Sequence, residues 1–262
     1  MDRARLTPPL IDPEDFRSWI LHEDERLLVV NKPGDTVCHP SKNGPWSSLV
    51  GATRAYLNRP MVHLVFRLDR ETSGVVVLAK DGRTASRLQR AMQRRLVRKI
   101  YLAILEGELA APVTVDQPLG PDLASCVSVR STVVAPDTPG AQAAVTHFEP
   151  LAGGGGFTLV RVRPETGRKH QIRAHALWLR HAVAGDKLYG PDQRLYLEFA
   201  QHGWTERHAA LLPLGRQALH CTVVDLTAAG EPHEFRAPLP AELVAFARER
   251  MGLDASRASG LV

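Results

Sequence analysis

Strand-like and helix-like segments alternate irregularly along this chain, and this irregularity limits the possible folds more than any other feature. A parallel sheet with helical crossovers requires a regular succession of strand, helix and strand, which is not found here. The pattern therefore predicts an α+β fold with a mixed, largely antiparallel β-sheet core flanked by helices and loops. With 262 residues, 44% of them hydrophobic, the chain is long and apolar enough to bury a substantial core.

Periodicity and turn residues give a first assignment of elements. Two apolar runs around a charged turn predict a hairpin over 19–34, and the glycine run 153–156 predicts the turn of another hairpin over 143–162. Further strands are predicted at 62–68, 75–79, 99–107, 218–226 and 232–237, and helices at 47–58, 81–98 and 240–250. Another helix is predicted to start near 166, with Thr166 as its N-cap. The segment 110–142 is predicted to form strands and loops without a helix.

These elements predict one domain over residues 18–250. Residues 1–17 are expected to form a loosely ordered extension, because they are rich in proline and acidic residues. Residues 251–262 are expected to form a loose C-terminal tail.

Charge and cysteine content narrow the class of protein. The net charge is +5 and the pI is about 9.4, with lysine at only six positions, so most of the positive charge is arginine. Arginine suits phosphate contacts and base stacking, although a compositional bias explains the excess equally well. The sequence has no long apolar segment and no secretory signal, and Cys38, Cys126 and Cys221 lie too far apart for a metal clip. We expect a cytoplasmic protein with reduced thiols.

The segment Arg67–Gly74 (RLDRETSG) carries the strongest chemical signal. It places Asp69 between two arginines, just before the turn residues Thr72-Ser73-Gly74 and an apolar run. Nearby positive charge favours the ionised carboxylate, which can act as a nucleophile or as a base. A surface ion pair between Asp69 and Arg70 at a turn is the simpler alternative.

Two further segments place reactive or stacking side chains among cations. In Arg98-Lys99-Ile100-Tyr101, a tyrosine follows two cations. In Gly167–Arg173 (GRKHQIR), a helix start carries several donors, and its backbone N–H groups also favour anions. Together with Asp69, these segments suggest chemistry on a nucleotide, with an aromatic ring that stacks on a base and a carboxylate that reacts.

The predicted helix 81–98 has two distinct faces. Ala85, Leu88, Met92 and Leu96 are expected to face the core, whereas Arg83, Arg87, Arg90 and Arg94 share another face. Four neighbouring arginines repel each other unless an anion lies against them. This face is therefore either solvated or follows a phosphate backbone.

The three segments, in this order and spacing, resemble the motifs of the RluA-type pseudouridine synthases. Tyr101 follows Asp69 by 32 residues and Arg168 follows it by 99. The segments 29–34 with His39-Pro40, 185–190, and Leu219-His220-Cys221 fit the same family, so the resemblance covers roughly residues 20–245. It implies the pseudouridine synthase fold with an RNA cleft across the sheet. It also implies an isomerase that converts specific uridines of ribosomal or transfer RNA to pseudouridine by base flipping.

The resemblance also implies roles for individual residues. Asp69 is the catalytic aspartate, Tyr101 stacks on the target base, and Arg168 pairs with Asp69. Arg67 fills the space that the flipped uridine leaves, and Ile172 and Leu219 contribute apolar walls. The RNA-binding residues it implies are Arg67, Arg70, Lys99, Lys169, His170, Gln171 and Arg173. No metal, no organic cofactor and no obligate protein partner are implied, and we expect a monomer.

One position departs from the family pattern, and several alternatives stay open. Phe66 stands where many relatives carry histidine, which affects RNA contacts more than the chemistry. Attack of Asp69 on the sugar and a glycal route are both compatible with the motifs. A non-catalytic RNA-binding protein on the same scaffold is one alternative function. Another is a carboxylate-pair hydrolase, which requires a second acid such as Glu71.

Overall fold

In this computed structural model, the described residues are 10–39 and 44–253. Within these ranges the helices are α1 Pro13–Ser18, α2 Leu49–Tyr56, α3 Gly82–Gln93, α4 Gln171–Trp178, α5 Arg194–His202, α6 Glu206–Leu211 and α7 Ala241–Met251. The strands are β1 Ile20–Glu23, β2 Leu27–Lys32, β3 His63–Leu64, β4 Ser73–Ala79, β5 Arg98–Glu106, β6 Val113–Asp116, β7 Leu119–Pro121, β8 Ser131–Val133, β9 Val145–Gly154, β10 Phe157–Pro164, β11 Leu219–Asp225 and β12 Glu234–Arg236. The predicted α+β class is confirmed. Among the described residues, no helix combines the length and the apolar character that crossing a membrane requires.

The described chain divides into two compact units. The Asp69 unit comprises residues 10–39, 44–99 and 220–240, and the Arg168 unit comprises residues 100–219 and 241–253. The sequence-based boundaries of a catalytic domain at 18 and 250 stay a prediction.

The Asp69 unit is built around strand β4, all of whose residues are buried. β1 pairs antiparallel with β2, and β2 and β3 both pair antiparallel with β4. β11 pairs parallel with β4 through His220↔Ser73 and Cys221↔Gly74, and β12 pairs antiparallel with β11. The apolar run Val75–Ala79 explains the position of β4, because a strand covered on both faces reads as a continuous apolar run.

The N-terminal segment is more ordered than the sequence predicted. Asp12 caps α1 by accepting from the backbone N–H of Glu14 and Asp15, and the fully buried Phe16 contacts Trp19, Trp46 and Tyr56 edge-on or tilted. The expectation of a loose extension is therefore wrong for residues 11–17, because an aromatic anchor holds them. Residues 1–9 lie outside the described residues.

In the Arg168 unit, β5, β10, β9 and β6 form consecutive antiparallel pairs, and β7 pairs with β8. The predicted glycine hairpin is confirmed, since β9 and β10 meet at Gly155 and Gly156, which both have positive φ. A Cβ atom at Gly155 would overlap the carbonyl oxygen of Arg250 at the end of α7. This close approach requires glycine there, and the buried Met251 extends α7 into the predicted tail.

Three helical details differ from the prediction. α3 ends at Gln93, because Arg95 adopts a positive φ of 59° and the N–H of Leu96 bonds back to Ala91 O at 2.9 Å. Leu96 is consequently exposed, and Ala91 takes its place on the buried face of the helix. The helices α5 and α6 were not predicted from the sequence.

Candidate active site

Asp69 lies at the first position of a tight turn that leads directly into β4. Its carbonyl oxygen accepts from the backbone N–H of Thr72 at 3.1 Å, and its side chain is half-buried. The turn therefore lies earlier than the sequence predicted, and Ser73 and Gly74 already belong to the strand. A carboxylate in this position is held by a buried strand yet accessible, which suits a reacting group.

Two side chains from earlier in the chain, one at the end of β2 and one in the loop that follows it, fix the backbone on either side of Asp69. The fully buried Lys32 donates through Nζ to the carbonyl oxygens of Pro33, Thr36 and Arg70 at 2.8, 2.9 and 3.0 Å. The thiol of Cys38 donates to Leu68 O at 3.4 Å, and its burial raises the pKa of this thiol. These contacts hold the residues before and after Asp69 without using the Asp69 side chain.

A third anchor lies at the start of β4. Nε2 of the buried His220 is 3.2 Å from the carbonyl oxygen of Ala237, which can only accept, so Nε2 carries the proton. The other ring nitrogen, Nδ1, therefore accepts from the hydroxyl of Ser73 at 2.9 Å. Next to it, a Cβ atom at Gly74 would overlap the backbone of Cys221, so the close pairing of β4 and β11 requires glycine.

The cations of the Asp69 unit fall into two groups. Arg67 is exposed, and Arg70 donates through Nε to Asp35 O at 3.3 Å. Lys99, in contrast, is buried, and its Nζ lies 5.3 Å from the centroid of the Phe66 ring. Burial lowers the pKa of Lys99. This position favours a packing role for Lys99 over the direct RNA contact that the sequence predicted, and the aromatic ring of Phe66 provides a π face for the cation.

The Arg168 unit contains the predicted stacking residue and the predicted catalytic arginine. Tyr101 lies on β5 opposite Val162 of β10 and is only 6% exposed. Arg168 lies in the turn before α4 and is exposed, and its Nε donates to Ala143 O at 3.1 Å. Lys169, the next residue, is also exposed.

The turn before α4 is held by Gln171 and His170. Oε1 of Gln171 accepts from Arg168 N at 2.9 Å and from the Thr166 hydroxyl at 2.7 Å. His170 adopts a left-handed conformation with φ of 57°, so the helix starts only at Gln171 and the predicted N-cap at Thr166 is wrong. The hydroxyl of Tyr189 donates to Ser131 O at 2.9 Å and therefore accepts from Nδ1 of His170 at 3.1 Å.

Arg173 is buried and forms a bidentate pair with Asp186, with Nε–Oδ2 and Nη2–Oδ1 distances of 2.6 and 2.8 Å. Burial raises the pKa of Asp186, but Arg173 and the backbone N–H groups of Tyr189 and Leu188 lower it by a larger amount. The pKa of Asp186 therefore lies below its usual value. The Arg173 guanidinium is also 4.9 Å from the centre of the Tyr189 ring. These contacts favour a positioning role for Arg173 and for the buried Gln171 over the RNA contacts that the sequence predicted.

Sequence reasoning gave no role to several residues that position the site. Lys32 was detectable as a charged residue at the end of an apolar strand, since such a residue must find buried acceptors. Asp186 and His220 lie in segments that fit the family pattern, but their partners are 13 and 147 residues away and leave no local signal.

The family model of the RNA pseudouridylate synthases matches residues 26–178 of this chain, more than half of its length. This range contains Asp69, Tyr101 and Arg168. The chain belongs to the RNA pseudouridylate synthase family. The predicted resemblance to pseudouridine synthases is thereby confirmed.

Individual pseudouridine synthases agree with this assignment. The ribosomal large subunit pseudouridine synthase D of Vibrio parahaemolyticus is 35% identical over 240 residues, which cover 89% of this chain and 71% of the relative. The protein of the same name from Escherichia coli O6:H1 is 34% identical over 242 residues, with 89% and 70% covered. The solved structure of human RNA pseudouridylate synthase domain containing 4 superposes with a TM-score of 0.72 and 25% identity, and covers 92% of this chain and 96% of that one.

Proposed function

We propose that this protein is an RNA pseudouridine synthase that isomerises uridines of large-subunit ribosomal RNA in the cytoplasm. The observation that carries the proposal is the family match, which includes the turn that presents Asp69. The choice of ribosomal RNA rests on the names of the relatives, and transfer RNA stays the alternative substrate.

In the proposed reaction, the bond between uracil N1 and ribose C1′ breaks and a bond between C5 and C1′ forms. The C5 proton leaves and N1 gains a proton, so the reaction needs no redox partner and no outside group. The Asp69 carboxylate serves this chemistry by attack on the sugar or by proton abstraction, the two routes compatible with one carboxylate. An aromatic ring such as Tyr101 returns about 1–3 kcal/mol per stacked base, which offsets the cost of flipping the uridine.

Other residues support the same function by their exposure. The exposed guanidinium of Arg168 is proposed to orient the reacting carboxylate, and Arg67 to occupy the space of the flipped base. The exposed Lys169, together with Arg70 and His170, is proposed to contact RNA. We also propose that the protein acts as a monomer without an obligate partner, which size-exclusion chromatography with light scattering tests.

The direct test uses cellular RNA labelled with tritium at uridine C5. Pseudouridine formation releases this tritium to water, and Asp69→Asn should reduce the release to the level without enzyme. Glu71→Gln is the matched control, because it removes a neighbouring carboxylate without a proposed role.

Two outcomes contradict the proposal. RNA binding without tritium release from any RNA pool supports the non-catalytic scaffold. Release of free uracil, abolished by Glu71→Gln, supports the carboxylate-pair hydrolase. Mapping pseudouridines in ribosomal and transfer RNA of cells that lack the protein then identifies the substrate class.

The arginine face of α3 provides a separate test of RNA binding. Arg87 already has partners within the protein, because it pairs with the buried carboxylate of Glu231 and donates to Ala229 O at 3.2 Å. Arg83, Arg90 and Arg94 are exposed. Replacing these three with Gln should reduce the slope of log K against log salt concentration by about 0.7–0.9 for each lost phosphate contact. An unchanged slope shows that the face is only solvated.

A further inference from the structure

Two histidines and an aspartate of the Asp69 unit lie close together, and none of them has a role in the proposed function. His22 lies on β1, Asp24 in the turn between β1 and β2, and His233 just before β12. One ligand atom of each residue lies within 4.8 Å of those of the other two. Among the described residues, this is the one group of three or more histidine, cysteine and acidic side chains close enough to hold a metal ion.

The local structure orients the Asp24 carboxylate toward the two imidazoles. Oδ1 of Asp24 accepts from the backbone N–H groups of Arg26 and Leu27, both at 2.7 Å. Oδ2 is thereby directed to His22, whose Nε2 lies 3.1 Å away. These three hydrogen bonds fix the orientation of the Asp24 carboxylate beside the His22 ring.

The two imidazole rings are held together by an aromatic neighbour. The ring centroids of His22 and His233 are 4.8 Å apart, and both lie within 5.5 Å of the ring of the buried Phe235. All three candidate ligands are partly exposed, so an ion in solution can reach them. Two acidic side chains close to these residues in sequence have cationic partners of their own. Glu23 binds Lys80 at 2.7 Å, and the buried Glu231 binds Arg26 at 2.9 Å.

From this arrangement we propose that His22, Asp24 and His233 form a binding site for a borderline divalent cation such as Zn²⁺. Imidazole nitrogen and carboxylate oxygen are both common zinc ligands, with bonds of about 2.0–2.2 Å, and water completes the coordination of such three-residue sites. A neutral imidazole holds such an ion through the ring nitrogen that carries no proton and keeps its proton on the other ring nitrogen. The ion joins the β1–β2 turn to a segment more than two hundred residues later in the sequence, so its expected effect is on stability.

The test measures zinc binding by the full chain with its purification tag removed. Isothermal titration with Zn²⁺ should show one site per chain, and Co²⁺ should give visible absorption bands typical of four- or five-coordinate nitrogen and oxygen ligation. Saturating Zn²⁺ should also raise Tm by roughly 5 °C or more, because an ion that binds only the folded state stabilises it.

Single variants assign the site. His233→Gln and Asp24→Asn should each abolish the zinc site, the cobalt bands and the Tm shift, and Asp24→Asn keeps an oxygen that accepts from the turn N–H groups. His147→Gln is the matched control, because His147 also contacts a carboxylate, Glu165, at 2.9 Å but lies outside any group of three candidate ligands among the described residues. The proposal is overturned if the wild type binds no Zn²⁺. It is equally overturned if His233→Gln binds Zn²⁺ as the wild type does, since the group is then only a histidine–aspartate pair packed on Phe235.

Discussion

The turn around Asp69 and the turn before α4 are held in opposite ways. Residues outside the Asp69 motif hold it in place, since Lys32 and Cys38 bond the backbone oxygens of Arg70 and Leu68 and His220 bonds the Ser73 hydroxyl. The turn before α4 is held instead by side chains of its own motif, residues 167–173. Gln171 bonds the backbone of Arg168 and Val145, and Arg173 bonds Asp186.

This difference changes how a motif should be interpreted. In the Asp69 motif, the hydrogen bonds to Leu68 O and Arg70 O come from side chains outside the motif, and the Asp69 side chain is half-buried. In the motif 167–173, Arg168 and Lys169 are exposed, whereas Gln171 and Arg173 are buried parts of the scaffold. A match to a family motif therefore identifies a site, and the hydrogen bonds of the buried Gln171 and Arg173 separate scaffold residues from exposed ones within this motif.

The largest expected effect comes from two arginines of the same motif. Arg173→Met leaves the buried Asp186 carboxylate without its partner and should lower the free energy of unfolding by about 3–5 kcal/mol. Arg168→Met removes an exposed side chain and should change it by less than about 0.5 kcal/mol, while tritium release is lost. Urea unfolding of both variants measures this difference. If the two variants lower the free energy of unfolding equally, Arg173 is no more important to the scaffold than Arg168.

The second prediction compares lysines in the two regions. Lys32→Met leaves three partly buried carbonyl oxygens without their donor and should cost about 3 kcal/mol, at about 1 kcal/mol for each. Lys169→Met changes an exposed lysine and should leave stability within about 0.5 kcal/mol. Thermal unfolding monitored by circular dichroism checks both. If Lys32→Met is as stable as the wild type, Lys32 does not anchor the Asp69 turn.

The smallest expected effect is on the pH dependence of stability, and it concerns His175 in α4. His175 is fully buried, its Nε2 donates to Gln117 O at 3.0 Å, and its Nδ1 accepts from Thr146 at 2.8 Å. Burial lowers the pKa of His175 in the folded state. Below the unfolded value of about 6.5 the unfolded chain binds a proton that the folded chain does not. The contribution of His175 to stability is therefore complete above this pH and is lost as the pH falls toward the folded pKa.

Replacement tests this assignment directly. His175→Gln should flatten the decline in urea midpoint between about pH 7.5 and about pH 5.5, since the titrating group is removed. His202→Gln changes an exposed histidine and should keep the wild-type decline. A decline that is unchanged in His175→Gln assigns the pH sensitivity to another group.

Much of the fold was predictable from local sequence. The hairpin of β1 and β2, the buried strand β4, the glycine turn between β9 and β10, and helix α7 all follow from apolar periodicity and turn residues. The helix boundaries at Arg95 and His170 were not predictable, because non-glycine residues adopt positive φ there. Such conformations persist only where surrounding contacts hold them.

The sequence by itself determined most of the strands, the family, and the positions of Asp69, Tyr101 and Arg168, since these depend on residue type and spacing. Only the tertiary structure decided the roles of otherwise similar cations. Arg87, Arg173 and Lys32 are bound by distant partners, whereas Arg67, Arg168 and Lys169 are exposed. The physical reason is that a charge must be paired or hydrogen-bonded when it is buried, and burial depends on residues far away in the sequence.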